Sequence, residues 1–261
     1  TRKGHRMHIV FTDLDGTLLD HETYSFEPAR PALELLKARG IPLILASSKT
    51  EAEMRPIAAA IGIDHPMIVE NGAGIVNLPD GKAEQDGIYD RLRAVLSSMD
   101  PELRRHYQGF GDWSDEEVAE KTGMSLENAG LARKRRFSEP GLWSGSEDER
   151  ADFAALLDAH GFQAVQGGRF FTLMPKTSKA EAMAKIVRHY AETSDEPIST
   201  VALGDAPNDA AMLEAADRGF IIANPAHADM PVSDRERAGF ITRSQRPGPY
   251  GWNDMILQLL A

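Results

Sequence analysis

Two blocks of alternating strand and helix patterns, one near each end of the chain, constrain the fold more than any other feature of the sequence. The first block has three apolar runs typical of buried strands, at 7–11, 42–46 and 66–69. A helix pattern at 28–39 separates the first two runs, and a capping box that begins at Thr50 opens a helix before the third. Strands that alternate with helices in this way form parallel sheets.

The second block repeats this alternation after residue 176. A capping box at Ser178 opens a helix, a strand follows at 200–203, and another helix and strand extend the pattern to residue 223. Together the two blocks predict an α/β fold with a Rossmann-like parallel-sheet core.

The residues between the two blocks follow a different pattern. Segment 88–143 reads as mostly helical, a further helix follows it, and a strand pair is predicted between 162 and 174. This mixture is typical of an α+β module rather than of a continued parallel sheet. We therefore predict a discontinuous core of residues 1–85 and 176–261, with an α+β module of residues 86–175 inserted between its halves.

The composition of the 261-residue chain excludes several classes of protein. It contains no cysteine, so disulfides, thiol catalysis and thiolate metal sites are excluded. No apolar run reaches the ~18–20 residues of a membrane span, and the first residues lack the apolar segment of a signal peptide, so we expect a cytoplasmic protein with no membrane partner. The net charge of −11 argues against a nucleic-acid partner, and an anionic substrate would need a locally positive site.

The first predicted strand runs directly into two aspartates. Asp13 and Asp15 are separated by one residue and are followed by Gly16 and the hydroxyl of Thr17. Two close carboxylates repel each other, so such a pair needs a cation, a proton or hydrogen-bond donors. An acidic turn is the simpler interpretation of an isolated pair, because Asp-Gly is a common turn dipeptide. The buried strand before the pair and the hydroxyl after it favour a functional site.

Other polar residues occupy corresponding places in the predicted fold. Ser47 follows the second strand, and Asp205, Asn208 and Asp209 follow the strand at 200–203, while Lys179 lies in the first turn of the helix that opens the second block. Ligands of an open α/β sheet bind at the carboxyl ends of its strands. Each residue alone is more often an ordinary loop hydroxyl, turn residue or surface charge, but their shared position predicts one site.

In order and setting these residues resemble the four motifs of the haloacid dehalogenase superfamily of phosphatases. The motifs that carry the resemblance are Asp13-Leu-Asp15-Gly-Thr17, Ser47, Lys179 and Gly204-Asp205-Ala-Pro-Asn208-Asp209. The resemblance implies a magnesium-dependent phosphatase in which the inserted module is a cap that selects the substrate. It covers the two core halves of the predicted fold.

The same resemblance implies a role for each of these residues. Asp13 would be the nucleophile that forms an aspartyl-phosphate, and Asp15 would protonate the leaving oxygen and later deprotonate water. Ser47 would donate a hydrogen bond to the phosphoryl group, and Lys179 would balance its charge. Mg²⁺ would be held by Asp13, by the backbone carbonyl of Asp15, by Asp205, and by Asp209 either through water or as an orienting group.

Further strings resemble the mannosyl-3-phosphoglycerate phosphatases within that superfamily. These strings are Ser47-Ser-Lys49-Thr, Glu70-Asn-Gly72-Ala, Phe137-Ser-Glu-Pro, Gly167-Gly-Arg169-Phe and Pro247-Gly-Pro-Tyr-Gly-Trp252. They imply that the substrate is a small phosphorylated sugar acid, 2-O-mannosyl-3-phosphoglycerate. The implied substrate contacts are Lys49, Glu70, Asn71, Gly72, Gly167, Gly168, Arg169 and Asn208.

The inserted module has two basic features, Arg169 and the run 133–136, and only the first is predicted to bind substrate. Arg169 can bind a carboxylate through two hydrogen bonds, and the two glycines before it leave backbone N–H groups accessible to an anion. A glycine-rich hairpin with an outward arginine is the alternative. The run 133–136 is expected to be a solvated helix face, with at most one of Arg135 and Arg136 facing the cleft.

Several alternatives remain at this level. The same core would serve another sugar phosphate, such as glucosyl-3-phosphoglycerate or a hexose phosphate, and a phosphomutase would share its motifs. A non-catalytic binding module would be expected to lack a nucleophile or a metal carboxylate, and both are present here. A nucleotide-binding oxidoreductase is disfavoured because no GxGxxG follows the first strand.

Overall fold

The computed structural model describes residues 6–79 and 85–261. In chain order the strands are β1 (Met7–Thr12), β2 (Leu43–Leu45), β3 (Met67–Val69), β4 (Gly74–Val76), β5 (Tyr107–Gly109), β6 (Glu139–Trp143), β7 (Phe162–Gln166), β8 (Phe171–Pro175), β9 (Ile198–Gly204), β10 (Arg218–Ala223) and β11 (Ile241–Pro247). The α-helices are α1 (Arg30–Ala38), α2 (Glu51–Ile61), α3 (Ile88–Ser98), α4 (Pro101–Arg104), α5 (Asp115–Thr122), α6 (Leu126–Ala132), α7 (Glu147–Ala159), α8 (Lys179–Thr193), α9 (Ala210–Ala215), α10 (Asp234–Arg237) and α11 (Gly248–Leu260). Within the described part of the chain, no helix has both the length and the apolar character needed to cross a membrane.

A five-stranded parallel sheet forms the core, in the order β11-β10-β9-β1-β2. Strand β1, which lies between β9 and β2, is apolar on both faces because helices cover both sides of the sheet. Val10 packs with residues of α1 and α11 on one face, and Ile9 and Phe11 pack with residues of α8 and α9 on the other. The predicted α/β core is confirmed.

The register of this sheet places three strand ends side by side. Thr12, the last residue of β1, pairs with Leu45 of β2 and with Leu203 of β9. The segments that follow these strands therefore leave the sheet at the same edge, and they carry the sequence motifs with the aspartates and Ser47.

The third predicted strand exists, and it borders the parallel sheet without being a full member of it. Strand β3 is joined to the segment after β2 by one isolated parallel bridge between Ala46 and Ile68, its residues pack in the core, and it forms an antiparallel hairpin with β4. The chain reverses because Glu70 and Asn71 both adopt left-handed backbone conformations, with φ of 49° and 61°. This tight turn sends the chain back along β3 instead of into another crossover.

The inserted module contains a four-stranded antiparallel sheet in the order β5-β6-β8-β7. The predicted α+β character is confirmed, and so is the predicted pair formed by β7 and β8. Strands β5 and β6 lie in a segment that we expected to be mostly helical. Strand β6 escaped prediction because it contains Pro140 and Gly141, residue types that are depleted in strands. The predicted boundaries at 85 and 175 remain predictions, and residues 80–84 lie outside the described residues.

Candidate active site

Three buried aspartates meet at the edge of the parallel sheet. Asp13 follows β1, and its backbone N–H donates to the carbonyl of Leu203 in β9 at 2.9 Å. Asp205 follows β9, and Asp209 lies in the short turn before α9. One carboxylate oxygen from each of the three aspartates lies within 4.8 Å of the others. The sequence motifs that were predicted to meet here are brought together.

Lys179 supplies the positive charge inside this cluster. The side chain of Ser178 caps α8, which directs the next residue into the core. The Lys179 ammonium lies 3.1 Å from Asp13 Oδ1 and 2.7 Å from Asp209 Oδ1. Burial alone lowers the pKa of this lysine, but the attraction of the two aspartates outweighs it and the pKa is raised.

The cluster nevertheless contains more negative than positive charge. Burial raises the pKa of Asp13 well above its usual value, repulsion from Asp209 raises it further, and Lys179 only partly opposes these effects. Three buried carboxylates lie together and one buried ammonium contacts only two of them, and buried charges are stable only when they are compensated. The donor set, which is entirely oxygen, suits a hard divalent cation such as Mg²⁺.

Hydrogen bonds fix the orientation of Asp205 and Asp209. The hydroxyl of Thr17 donates to Asp205 Oδ1 at 2.7 Å, and the amide of Asn224 donates to Asp205 Oδ2 at 2.7 Å. Asp209 Oδ2 accepts the backbone N–H groups of Asp205 and Ala206 at 3.1 and 3.2 Å, while Oδ1 accepts from the lysine. Both oxygens of Asp209 are therefore engaged by protein donors.

Gly16 is needed where it stands. Its φ of +77° is a conformation that side-chain-bearing residues rarely adopt. A Cβ at this position would lie 2.3 Å from Asn224 Nδ2 and 2.8 Å from Asp205 Oδ2. The glycine lets the chain turn after Asp15 without displacing the groups that hold Asp205.

Asp15 stands apart from the buried cluster and has its own cation. Its side chain is 41% exposed, and Lys49 Nζ lies 2.9 Å from its Oδ2. Ser47 is buried beside this pair, and its hydroxyl accepts the backbone N–H of Lys49 at 3.2 Å. The two aspartates of the opening motif are thus held by two different lysines.

Glu70 joins the core to the inserted module. Its buried carboxylate accepts the backbone N–H groups of residues 136–138 at 2.9–3.2 Å and the Ser138 hydroxyl at 2.8 Å. Arg135 Nε lies 3.2 Å from the same carboxylate. These contacts occupy Glu70 with protein partners. Its predicted contact with substrate remains a prediction.

The interpretation of residues 133–136 as a solvated helix face is wrong, because these residues follow the end of a helix and one of them is buried. Helix α6 ends at Ala132, and the side chain of Arg135 is only 5% exposed because it pairs with Glu70. Arg136 is exposed and pairs with Glu51 of α2. A sequence pattern of consecutive charges cannot show that one member turns inward to a distant partner, here Glu70.

We expect Glu70→Gln to destabilise the protein, because an amide presents one acceptor and places its NH₂ group against N–H donors. The loss should be about 1–3 kcal/mol in the free energy of unfolding, measured by chemical denaturation. Glu27→Gln, at the exposed ion pair with Arg30, is the control and should change stability by no more than about 0.5 kcal/mol. Equal midpoints for both variants would contradict the role of Glu70 as a link.

The remaining predicted contacts divide between the core and the inserted module. Asn208 Nδ2 donates to Asn71 Oδ1 at 3.3 Å, so these two lie together. Gly72, with φ of +92°, packs so closely on α8 that a Cβ would lie 2.3 Å from the backbone nitrogen of Lys179. These three residues border the buried cluster.

Gly167, Gly168 and Arg169 form the turn between β7 and β8. The guanidinium of Arg169 donates to the carbonyl of Lys121 in α5, and it lies 6.0 Å from the ring centroid of Phe170. Among the described residues these partners belong to the inserted module and not to the aspartate cluster. The predicted carboxylate contact of Arg169 remains a prediction.

Two supporting contacts were missed by sequence reasoning. Asn224 follows β10, so the rule that identified Asp205 could have identified it as well. Trp252 is buried in α11, and its indole N–H donates to the Thr12 hydroxyl at 2.9 Å, which donates to the carbonyl of Asp13 at 2.8 Å. No local pattern in the sequence indicates this second contact, because its partners are 240 residues apart.

Comparisons with known proteins give a consistent result. A family model described as haloacid dehalogenase-like hydrolase matches residues 10–91 and 148–234. Two relatives are named glucosyl-3-phosphoglycerate/mannosyl-3-phosphoglycerate phosphatase. The one from Methanococcoides burtonii is 36% identical and the one from Persephonella marina is 34% identical, and each match covers 97% of both chains.

Solved structures show the same fold at low sequence identity. A hypothetical protein from Geobacillus kaustophilus matches with a TM-score of 0.68 at 18% identity, over 98% of this chain and 100% of that one. The sucrose-phosphatase from Synechocystis in complex with sucrose and phosphate matches with a TM-score of 0.61 at 16% identity, over 97% and 98% of the two chains.

Proposed function

The chain belongs to the haloacid dehalogenase-like hydrolases, and we propose that within this family it hydrolyses 2-O-mannosyl-3-phosphoglycerate to mannosylglycerate and phosphate. That it is a phosphoric monoester hydrolase follows from the family model and from the two relatives. The observation that carries the substrate is the similarity to those relatives over 97% of the chain. Because their names also include the glucosyl compound, glucosyl-3-phosphoglycerate is the second candidate substrate.

Asp13 is the proposed nucleophile. Its carboxylate oxygen attacks phosphorus, the bond between phosphorus and the sugar-acid oxygen breaks, and an aspartyl-phosphate forms. Asp15 gives its proton to the departing oxygen, so the product leaves as an alcohol. Asp15 then takes a proton from the water that attacks the aspartyl-phosphate, which releases phosphate and restores the carboxylate of Asp13 and the protonated form of Asp15.

Mg²⁺ is the proposed cofactor, because the buried cluster has an excess of carboxylate over ammonium. Asp13, the backbone carbonyl of Asp15 and Asp205 would hold the ion, which when bound neutralises charge on the phosphoryl group. Asp209 is assigned the orienting role, since its two oxygens are already engaged by Lys179 and by backbone N–H groups. No direct bond from Asp209 to the ion is needed.

In this proposal the other predicted residues contact either the phosphoryl group or the sugar-acid part of the substrate. Ser47 and Lys179 serve the phosphoryl group from the core, and Asn71 and Asn208 lie next to them. The inserted module is the proposed cap, covering residues 86–175, and its turn at Gly167, Gly168 and Arg169 is the proposed site for the glycerate carboxylate. Arg169 must turn from the carbonyl of Lys121 toward the substrate for this contact to form.

A side-by-side assay of phosphorylated compounds tests the proposal. With Mg²⁺ present, we expect the highest kcat/KM for mannosyl-3-phosphoglycerate and the next highest for glucosyl-3-phosphoglycerate. The kcat/KM for mannosyl-3-phosphoglycerate should exceed that for hexose phosphates and for 3-phosphoglycerate by at least about 100-fold, which is the discrimination that a few specific polar contacts provide. Removal of the ion with a chelator should stop turnover, and added Mg²⁺ should restore it. A preference for a plain hexose phosphate would overturn the substrate, and full activity in chelator would overturn the cofactor.

A further inference from the structure

Lys49 forms an ion pair with Asp15, the proposed general acid. Its ammonium lies 2.9 Å from Asp15 Oδ2, and its side chain is only 16% exposed although it carries a charge. The attraction of Asp15 outweighs the effect of burial, so the pKa of Lys49 is raised and the side chain stays charged over the physiological range. A buried ammonium that is already paired in this way has a fixed place beside its carboxylate.

The backbone of Lys49 is fixed as firmly as its side chain. Its N–H donates to the Ser47 hydroxyl at 3.2 Å, and its carbonyl accepts the N–H of Glu70 at 2.8 Å. The ring centroid of Tyr24 lies 5.9 Å from Nζ. The lysine is therefore held at its backbone and at its ammonium, in the orientation that reaches Asp15.

The pairing divides the two oxygens of Asp15. Oδ2 contacts Lys49, whereas Oδ1 is buried and has no hydrogen-bond partner among residues 6–79 and 85–261. The pair also keeps Asp15 out of the cluster around Lys179, which binds Asp13 and Asp209 instead.

We propose that Lys49 is the positioning residue of the general acid: it holds Asp15 in the place from which its carboxyl group delivers the proton to the departing sugar-acid oxygen. The proposal rests on the function proposed above and adds to it a division of labour between two lysines. Lys179 serves the nucleophile, and Lys49 serves the acid.

The leaving group of the substrate separates this role from phosphate binding. A sugar-acid alcohol must be protonated as it departs, whereas p-nitrophenolate departs without a proton. In Lys49→Met we expect kcat/KM for mannosyl-3-phosphoglycerate to fall about 100-fold, the lower range of general acid catalysis, and kcat/KM for p-nitrophenyl phosphate to fall less than about fivefold. Lys49→Arg, which retains the charge and the hydrogen-bond donors, should recover most of the loss. Lys37→Met, at an exposed position of α1, is the control and should leave both values unchanged.

Each outcome decides the proposal. Equal losses for both substrates would make Lys49 a phosphate ligand, and no loss for either would deny it any role. In the Asp15→Asn background, Lys49→Met should cause little further loss in phosphoenzyme formation, because the two residues act as a unit. If Lys49→Met does not fold, Lys49→Gln gives the same comparison. If the wild-type protein does not hydrolyse mannosyl-3-phosphoglycerate, the proposed substrate is wrong. The role of Lys49 is then tested by comparing p-nitrophenyl phosphate with the alkyl phosphate that the protein does hydrolyse.

Discussion

We expect Asp13→Asn to abolish turnover and leave the fold intact. The amide is close to the carboxylate in shape but is not a nucleophile toward phosphorus, so kcat should fall by at least about 1,000-fold, as when other enzymes lose their nucleophile. Steady-state assays with the preferred substrate measure this loss. Since the backbone of Asp13 is held by the N–H bond to Leu203, the substitution should not disturb the sheet edge.

The same variant should be at least as resistant to unfolding as the wild-type protein at neutral pH. The pKa of Asp13 is raised in the folded state by burial and by repulsion from Asp209. When the pKa of a carboxyl group is higher in the folded than in the unfolded protein, the group stabilises the folded state fully at pH values below its unfolded pKa. This stabilisation is lost as the pH rises through the folded pKa. Ionised Asp13 therefore costs stability at pH 7, and a neutral isostere removes that cost.

Asp158→Asn provides the control, because this aspartate pairs with Lys176 in an exposed salt bridge. It should leave both kcat/KM and the unfolding temperature unchanged, since exposed pairs contribute about 0–1 kcal/mol. Substantial activity in Asp13→Asn, above about a tenth of the wild-type value, would remove Asp13 from the role of nucleophile.

The sequence was sufficient to predict the edge of the sheet on which the site lies. Apolar strands that alternate with helices must form a parallel sheet, and parallel strands end at one edge. The pairing of Thr12 with Leu45 and Leu203 then brings the following polar residues together. This reasoning needs only the order of the elements, which is why Asp13, Ser47 and Asp205 could be located without a structure.

The missed features depend on contacts that no local pattern encodes. Glu70 was expected only as a substrate contact, and its burial was not predicted; the carboxylate is buried because N–H groups from residues 136–138 converge on it. Arg135 belongs to a basic run that reads as solvated, and it turns inward to the same carboxylate. The burial of each charge is explained by the other residue, because a buried charge requires a partner. Neither burial can be predicted from the sequence, since the two residues meet only in the folded chain.

Lys179→Met should damage both stability and activity, because it leaves Asp13 and Asp209 buried without their shared ammonium. Removal of one partner from a buried ionic cluster costs about 3–5 kcal/mol, and loss of a preorganised charge at a phosphoryl site should lower kcat by about 100–1,000-fold. Chemical denaturation and steady-state assays measure the two effects. Lys185→Met, at an exposed position of the same helix α8, is the control and should change neither.

The stability loss in Lys179→Met should depend on pH in a defined direction. Because the pKa of Lys179 is raised in the folded protein, its ammonium stabilises the folded state fully at pH values below the pKa of the unfolded chain. This stabilisation is lost only as the pH rises through the higher pKa of the folded state. Below neutrality the lysine stays charged while Asp13 of the variant, whose pKa burial raises well above its usual value, takes up a proton, which removes its repulsion from Asp209. The difference in free energy of unfolding between wild type and variant should therefore be large at neutral pH and should shrink as the pH falls. A difference that stays constant as the pH falls would mean that the methionine perturbs packing and that the ammonium does not balance the aspartates.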